Sequence, residues 1–490
     1  MITFQNTVNG QLTAGSESFE SFDPFTGKPW ALIPADGPAE VDTAVAAAKA
    51  AFKSPAWRGL TATARGKLLV RFADVLAENA DRLAAIETRD NGKLLSEMTA
   101  QLRYLPEWYR YFGGLIDKIE GAVLPVDKAN MFAYTRREPL GVIAAIAPWN
   151  SPLMLLTWKL APLLAAGNTV VIKPSEHTSA STLEFVKLFE EAGFPPGVVN
   201  TVTGMPMEVG APLVSHPDVA KIAFTGGEPG GIAVYKAAAE QLKTVTLELG
   251  GKSANIIFDD ADVENAVKGA ISGIFAASGQ TCIAGSRLLV HRNVHDQVVE
   301  GLVALAKTAQ IGNPAQTNTQ VGPITTLQQR GKVLDYMKIA RDEGAEAVLG
   351  GGKPTTPELA DGWFVEPTIF TGVNNKMRIA REEVFGPILS VIPFDDEDEA
   401  FEIANDSPYG LAAGIWTQNI GRAIRGAEAM EAGTVWVNTY RAVSYMAPFG
   451  GYKRSGVGRE SGQEAINAYL QTKTVWIDAL GETANPFIIR

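Results

Sequence analysis

GVIAAIAPWNSPLMLLTWKLAPLLAAGNTVVIKPSE, residues 141–176, decides the fold. It opens on a short apolar run rich in β-branched residues, VIAAIA. A helical pattern follows from 153, and a second β-branched run, TVVIK, closes the stretch. Strand, helix and strand in this order form the unit of a parallel sheet. Downstream the alternation continues with a helix from 178, VVNTVTG, AKIAF before IAVYKAAAEQL, and ANIIF before DDADVENAVKGAI. Residues from about 140 to 260 therefore read as βαβ units, and a second alternating region spans about 285–450. Upstream, Val41, Val45, Ala48 and Phe52 recur at helical spacing within 40–53. A longer helical pattern covers 63–88, with Leu68, Leu69, Phe72, Val75, Leu76, Leu83 and Ile86. Residues 120–138 interrupt the pattern with an extended, polar insertion, and the last twenty residues, including KTVWID, read as a further strand.

The bulk composition narrows the class. A chain of 490 residues needs two or three domains. With 46% hydrophobic and 20% charged residues it is an ordinary globular protein. A formal charge of −11 argues against nucleic acid or an anionic lipid surface as partner. One cysteine forms no internal disulfide. The start, MITFQNTVNG, has neither the basic nor the apolar region of a signal peptide. The longest apolar runs fall far short of a membrane span. The expectation is a cytoplasmic protein with no membrane partner.

That cysteine, Cys282, lies in ASGQTCIAGS among small and polar neighbours. A lone cysteine is commonly a small buried hydrophobe. A glycine-flanked turn, however, leaves room for a substrate beside a nucleophilic sulfur. The four histidines, His177, His216, His291 and His295, have no local support as its base, and the HRNVH pair lacks a third ligand, so no metal is expected. Glu248, before the Gly-Gly turn of TLELGGKS, is the better base; a solvated strand-end glutamate is the alternative. GGKS is not a P-loop, because Thr246 stands where a glycine is required. KIAFTGGEPGG, 221–231, reads as strand, glycine turn and helix, with backbone N–H groups for a pyrophosphate. It lacks the GxGxxG fingerprint, since Glu228 takes the second glycine position. Lys173 and Glu176 follow TVVIK, where a ligand lies beyond the strand ends. There they can bind ribose hydroxyls, or form a plain surface ion pair. The carboxylate repels a 2′-phosphate and so favours NAD over NADP. Asn150 of APWNSPL can donate to an oxyanion or merely cap the following helix.

Together these pieces resemble the aldehyde dehydrogenase superfamily. PWN, KPSE, FTGG, LELGGKS, GQTC, EEVFGP and PFGGYKRSGVGRE occur in the family's order over nearly the whole chain. The resemblance implies an α/β fold: a Rossmann-like cofactor domain (1–119 and 139–250), an α/β catalytic domain (251–455) and a small β oligomerisation element (120–138 and 470–490). It implies a homodimer or homotetramer. Cys282 is similar to the family nucleophile, Glu248 to its general base and Asn150 to its oxyanion donor, assisted by the Cys282 amide. Trp149, Lys173, Glu176, Gly226, Gly227, Gly231, Glu383 and Phe385 fall at cofactor positions, and Lys159 with Glu460 matches a proton-exit pair. The implied reaction is NAD-dependent oxidation of an aldehyde to a carboxylic acid through a thiohemiacetal and a thioester. The competing readings are a CoA-acylating semialdehyde dehydrogenase and a binding member of the fold without turnover.

Departures from the family pattern bear on the substrate. Gly227 stands where many relatives carry Ser, and Ser151 where many carry Phe, which widens the tunnel. Tyr104, Trp108, Ser151, Trp158, Thr281, Ile283, Arg441 and Val443 are the expected pocket residues, although helix aromatics such as Tyr104 and Trp108 are more often core. Tyr445 falls near the tunnel mouth, where many relatives also lack an Arg like Arg441. The expectation is a roomy pocket for aryl or medium-chain aldehydes, with a polar or anionic tail near Arg441.

Overall fold

A computed structural model describes residues 1–481 and 485–488. The opening stretch folds as its pattern demands. Val142–Ile146 and Thr169–Lys173 are strands buried at every residue, joined by the helix Pro152–Ala165. Strands buried on both faces belong in a parallel sheet covered by helices. Val199–Thr201 lies outside Thr169–Lys173, while Val219–Thr225 and Thr244–Glu248 lie on the other side of Val142–Ile146. All these strands are parallel. The short strand Gly456–Val457 closes the sheet antiparallel to Thr244–Glu248. The chain thus leaves Val142–Ile146 first to one side and then to the other. Such a switch point opens a crevice at the carboxyl ends of the strands.

The second sheet has seven strands. Its middle strands are Ile388–Phe394, Arg287–His291, Ala254–Ile257 and Ala412–Trp416, all parallel. ANIIF therefore belongs to this sheet and not to the βαβ series before it; a run of β-branched residues encodes burial but not the sheet that buries it. The first helical patterns are the helices Pro38–Lys53 and Ala62–Asn91. The insertion contributes strands Val123–Leu124 and Met131–Pro139 to a three-stranded sheet with Leu470–Asp478. Of the expected oligomerisation segment 470–490, residues 482–484 and 489–490 lie outside the described residues. Among the described residues no helix is long and apolar enough to cross a membrane.

The two large sheets share one core. Phe72 from the long helix, Leu156 from Pro152–Ala165, and Leu288 and Tyr440 from the second half belong to a single buried cluster. Three features aim chemistry at the seam between the sheets. The helix Pro152–Ala165 is buried at every residue except Met154, so its one charged residue, Lys159, is buried too. The helix Ala62–Asn91 stops at Gly92, whose φ of 77° gives a left-handed cap, and delivers Lys93 to the same seam. The strand Thr244–Glu248 ends with its last side chain on the crevice side.

Candidate active site

Cys282 sits where two cavities meet. One, lined by Thr225, Gly226, Glu248, Glu383 and Phe385, reaches it from the crevice of the first sheet. The other, of 330 Å³, reaches it from the opposite side past Tyr104, Met154 and Trp158. Cys282 and Asn150 line both. The loop before the cysteine is strained: Ala277, Ser278 and Gly279 have φ of 53°, 53° and 71°. Left-handed backbone costs a non-glycine residue about 1–2 kcal/mol, so the loop must be pinned from outside. Glu97 Oε1 accepts from the Ala277 N–H at 3.0 Å, Ser278 Oγ donates to Gly322 O at 2.8 Å, and the Thr325 N–H donates to Gln280 Oε1 at 2.9 Å. Gly279 is required twice, by its φ and because a Cβ there would stand 2.2 Å from Gly386 O.

The chain folds an amide and a carboxylate around the sulfur. Asn150, in the turn after Val142–Ile146, donates one Nδ2 hydrogen to Gln280 O at 2.9 Å. That bond fixes the amide beside the cysteine loop and leaves its second N–H free. Glu248 is 1% exposed, and neither carboxyl oxygen has a hydrogen-bond partner among the described residues. Burial, and then the charge of Glu460, push its pKa up to about 8. Burial likewise holds the Cys282 thiol well above its ordinary range, with Glu248 adding to the effect. Behind Glu248, Lys159 forms a buried ion pair with Glu460 and donates to Thr225 Oγ1 at 2.6 Å. A sulfur, a free amide donor and a base held neutral can together capture an electrophilic carbon and later activate water on it.

The residues of the crevice fit a dinucleotide. A cavity of 430 Å³ lies at the ends of Val142–Ile146, Thr169–Lys173 and Val219–Thr225 and opens toward Cys282 past Trp149 and Gly227. Among the described residues, its chain neighbours aside, a Cβ built on Gly227 would meet only Pro229 Cδ, at 3.9 Å, so the turn presents backbone to open space. Gly227 caps the helix Glu228–Ala239, whose first N–H groups suit a pyrophosphate. The acid at that helix start is drawn aside: Arg454 Nε donates to Glu228 Oε1 at 2.6 Å and the Tyr409 hydroxyl to Oε2 at 3.1 Å. Lys173 Nζ lies 3.4 Å from Glu176 Oε2, and both line the cavity. Toward Cys282, Glu383 Oε1 accepts the Gly251 N–H at 2.9 Å, and Phe385 meets Trp149 edge-on at 5.2 Å. A Cβ on Gly250 would stand 2.2 Å from Glu383 Oε2, so the Gly-Gly turn after Glu248 lets this carboxylate in.

Two expected positions fall elsewhere. Gly231 faces Leu249, not the cavity, and Gly230 lines the wall instead; one residue of helix rotates the position by about 100°. Trp108 is fully buried. Its indole N–H needs an acceptor and finds Ser461 Oγ at 2.9 Å, so the ring backs Trp158 instead of lining the tunnel. Tyr104, Ser151, Trp158, Thr281, Ile283, Arg441 and Val443 do line the 330 Å³ cavity. Sequence reasoning missed Lys93 and Gln101 on its wall, and Gln329 and Lys332 beside Glu383. The helix-end sequence NGK carried the only signal for Lys93, and it reads as a solvated lysine after a cap.

Known proteins are similar to this one over nearly the whole chain. The model of the Aldehyde dehydrogenase family matches residues 12–475. The chain is 46% identical to the (Z)-2-((N-methylformamido)methylene)-5-hydroxybutyrolactone dehydrogenase of Acinetobacter baylyi, over 100% of both chains. It is 45% identical to a betaine aldehyde dehydrogenase of Mesorhizobium japonicum, over 95% of this chain and 94% of the relative. Among solved structures, the NAD+ complex of aldehyde dehydrogenase from Bacillus cereus superposes with a TM-score of 0.95 at 42% identity, covering 97% of this chain and 96% of that one. With a single nucleophile at the meeting of two cavities and a family match spanning its sequence, the chain belongs to the aldehyde dehydrogenase family.

Proposed function

We propose that the protein oxidises an aryl or medium-chain aldehyde to its carboxylic acid with NAD+. One observation carries this reading: Cys282 lies between a dinucleotide-shaped crevice and a separate 330 Å³ cavity, with Asn150 and Glu248 beside it. In the reaction, the Cys282 thiol gives up its proton to water and the sulfur adds to the aldehyde carbon. The free N–H of Asn150 and the Cys282 amide receive the charge that develops on oxygen. Bound NAD+ supplies the hydride acceptor. Glu176 disfavours a 2′-phosphate and so supports NAD over NADP. Glu248, once deprotonated, takes a proton from water as that water attacks the thioester; the C–S bond then breaks, freeing the Cys282 sulfur and the carboxylic acid. The Lys159–Glu460 pair behind it offers the proton an exit. A buried base argues against transfer of the acyl group to CoA.

The shape of the tunnel supports the substrate class. Tyr104, Met154, Trp158, Val443 and Phe449 give it apolar walls, and Ser151 leaves space beside them. Several relatives bear the name betaine aldehyde dehydrogenase. Lys93 and Arg441 on this chain's wall would repel a quaternary ammonium group, so that substrate is not proposed here. For the fold, we take the first sheet with its helices as the cofactor domain, the second as the catalytic domain, and the three-stranded sheet as the contact of a homodimer or homotetramer.

The test is an aldehyde panel followed by NADH absorbance, run in parallel with NAD+ and NADP+ and with and without CoA. Acid production with NAD+, independent of CoA and faster on benzaldehyde and hexanal than on acetaldehyde, is the expected result. An acyl-CoA product, or no reduction of NAD+ by any aldehyde, would overturn the proposal.

A further inference from the structure

Lys93 has no part in the chemistry just described, yet its side chain reaches the substrate cavity. It is 3% exposed. The residue is held rigidly: it follows the Gly92 cap, and its backbone N–H donates to Asn91 Oδ1 at 2.9 Å. An ammonium has three N–H donors. Among the described residues one is used, by Ser151 Oγ at 2.6 Å, which itself lines the cavity. Glu87 and Glu97 stand near enough to favour the charge of Lys93 but make no hydrogen bond to it. Glu97 instead accepts from Ala277. A buried cation with donors to spare is costly unless something completes its shell.

A second cation faces the same space. Arg441 lines the cavity from the loop after Asn438, with φ of 69°, and among the described residues its one hydrogen bond runs to Ser272 O at 3.3 Å. Most of its five donors have no partner among the described residues. Burial above all lowers the pKa of Lys93, to about 8, and among the charges around it Arg441 adds to that effect by repulsion. An anion between them would relieve that repulsion and fill the unused donors of both. Among the described residues, no Asp or Glu lines this cavity.

We propose that Lys93, presented by Ser151, and Arg441 form a carboxylate subsite, so that the substrate is an oxo acid, with its aldehyde at Cys282 and its carboxylate between the two cations. The proposal rests on the aldehyde oxidation argued above. It deepens that reading by assigning the far end of the substrate. The small Ser151 side chain is part of the device, because a bulky apolar residue there would cover the ammonium.

The test compares matched pairs with NAD+: 4-formylbenzoate against 4-methylbenzaldehyde, and 6-oxohexanoate against hexanal. A charge-assisted hydrogen bond is worth about 1.5–3 kcal/mol, so the carboxylated member of each pair should win by about 10-fold or more in kcat/KM, carried by KM. Lys93→Met, Arg441→Gln and Ser151→Phe should each reduce that ratio several-fold. Arg441→Gln keeps the test informative if the buried Lys93→Met fails to fold, since Arg441 is only half-buried. A wild-type ratio of one or less, or a ratio unchanged in both Arg441→Gln and Ser151→Phe, would overturn the subsite while leaving aldehyde oxidation standing. Failure to turn over any of the four aldehydes would instead overturn the oxidation reading, and this one with it.

Discussion

Glu248 is the residue on which the pH behaviour turns. With its pKa held at about 8, it is mostly neutral at pH 7 and, as the proposed base, must lose its proton before it can activate water. Thioester hydrolysis should therefore rise as pH increases through about 8, read as steady-state kcat where hydrolysis limits turnover. Glu248→Gln should lower kcat by on the order of 10²–10⁴ while preserving a stopped-flow burst of one NADH per site; loss of the burst would place Glu248 in the first half-reaction. The same shift bears on stability. The ordinary value of 4.5 rises to about 8 in the fold, so stability held by the neutral acid is full below 4.5 and is lost as pH climbs through about 8. Glu248→Gln should flatten that part of the Tm profile. Cys282→Ala should abolish NADH formation, and Asn150→Ala should cost on the order of 10²–10³ in kcat as a lost oxyanion donor. Equal kcat in Asn150→Ala would assign the amide to loop anchoring alone, through its bond to Gln280.

At the scale of elements, the strained turn 277–279 does the positioning. It is locally unfavourable and survives because Glu97 on one side and Gly322 and Thr325 of a single loop on the other hold it in place. Gly279→Ala adds a Cβ 2.2 Å from Gly386 O in a left-handed backbone. The expected loss is about 1–3 kcal/mol of stability, with a larger fall in activity, since the displaced atoms carry Cys282. Chemical denaturation checks the first and NADH formation the second. Glu97→Gln keeps an acceptor for the Ala277 N–H and should be milder than Glu97→Ala. The element patterns were legible beforehand: periodicity of 2 or 3.6 reports which side of a strand or helix is buried. Left-handed Ala277 and Ser278 were not, because neither residue favours that conformation and only distant contacts impose it.

For the whole molecule, the three-stranded sheet is separate from the two large ones. Leu470–Asp478 pairs along its full length with Met131–Pro139, with Phe132 opposite Ile477 and Tyr134 opposite Val475. Val123 pairs with Tyr134, so these five residues share one face. Val123, Phe132 and Ile477 are exposed on it, which is a costly face to leave in water. Ile477→Asp should reduce the native mass in light scattering to that of a smaller species without unfolding the chain. An unchanged mass would assign assembly to another surface.

Local sequence was enough for the alternating α/β architecture and for naming the candidate site residues Cys282, Glu248, Asn150 and the Lys173–Glu176 pair. Each announces itself within a few neighbours, since strand ends, glycine turns and apolar periodicity are local properties. The tertiary structure alone decided what meets what and in which protonation state. Trp108 turned to Ser461, Gly231 to Leu249, and Lys93 into the substrate cavity. The pKa of Glu248 was set by removal from water and by Glu460, which lies 212 positions along the chain, 460 − 248. Desolvation and long-range encounter depend on every segment that packs around a group, and no window of sequence contains them.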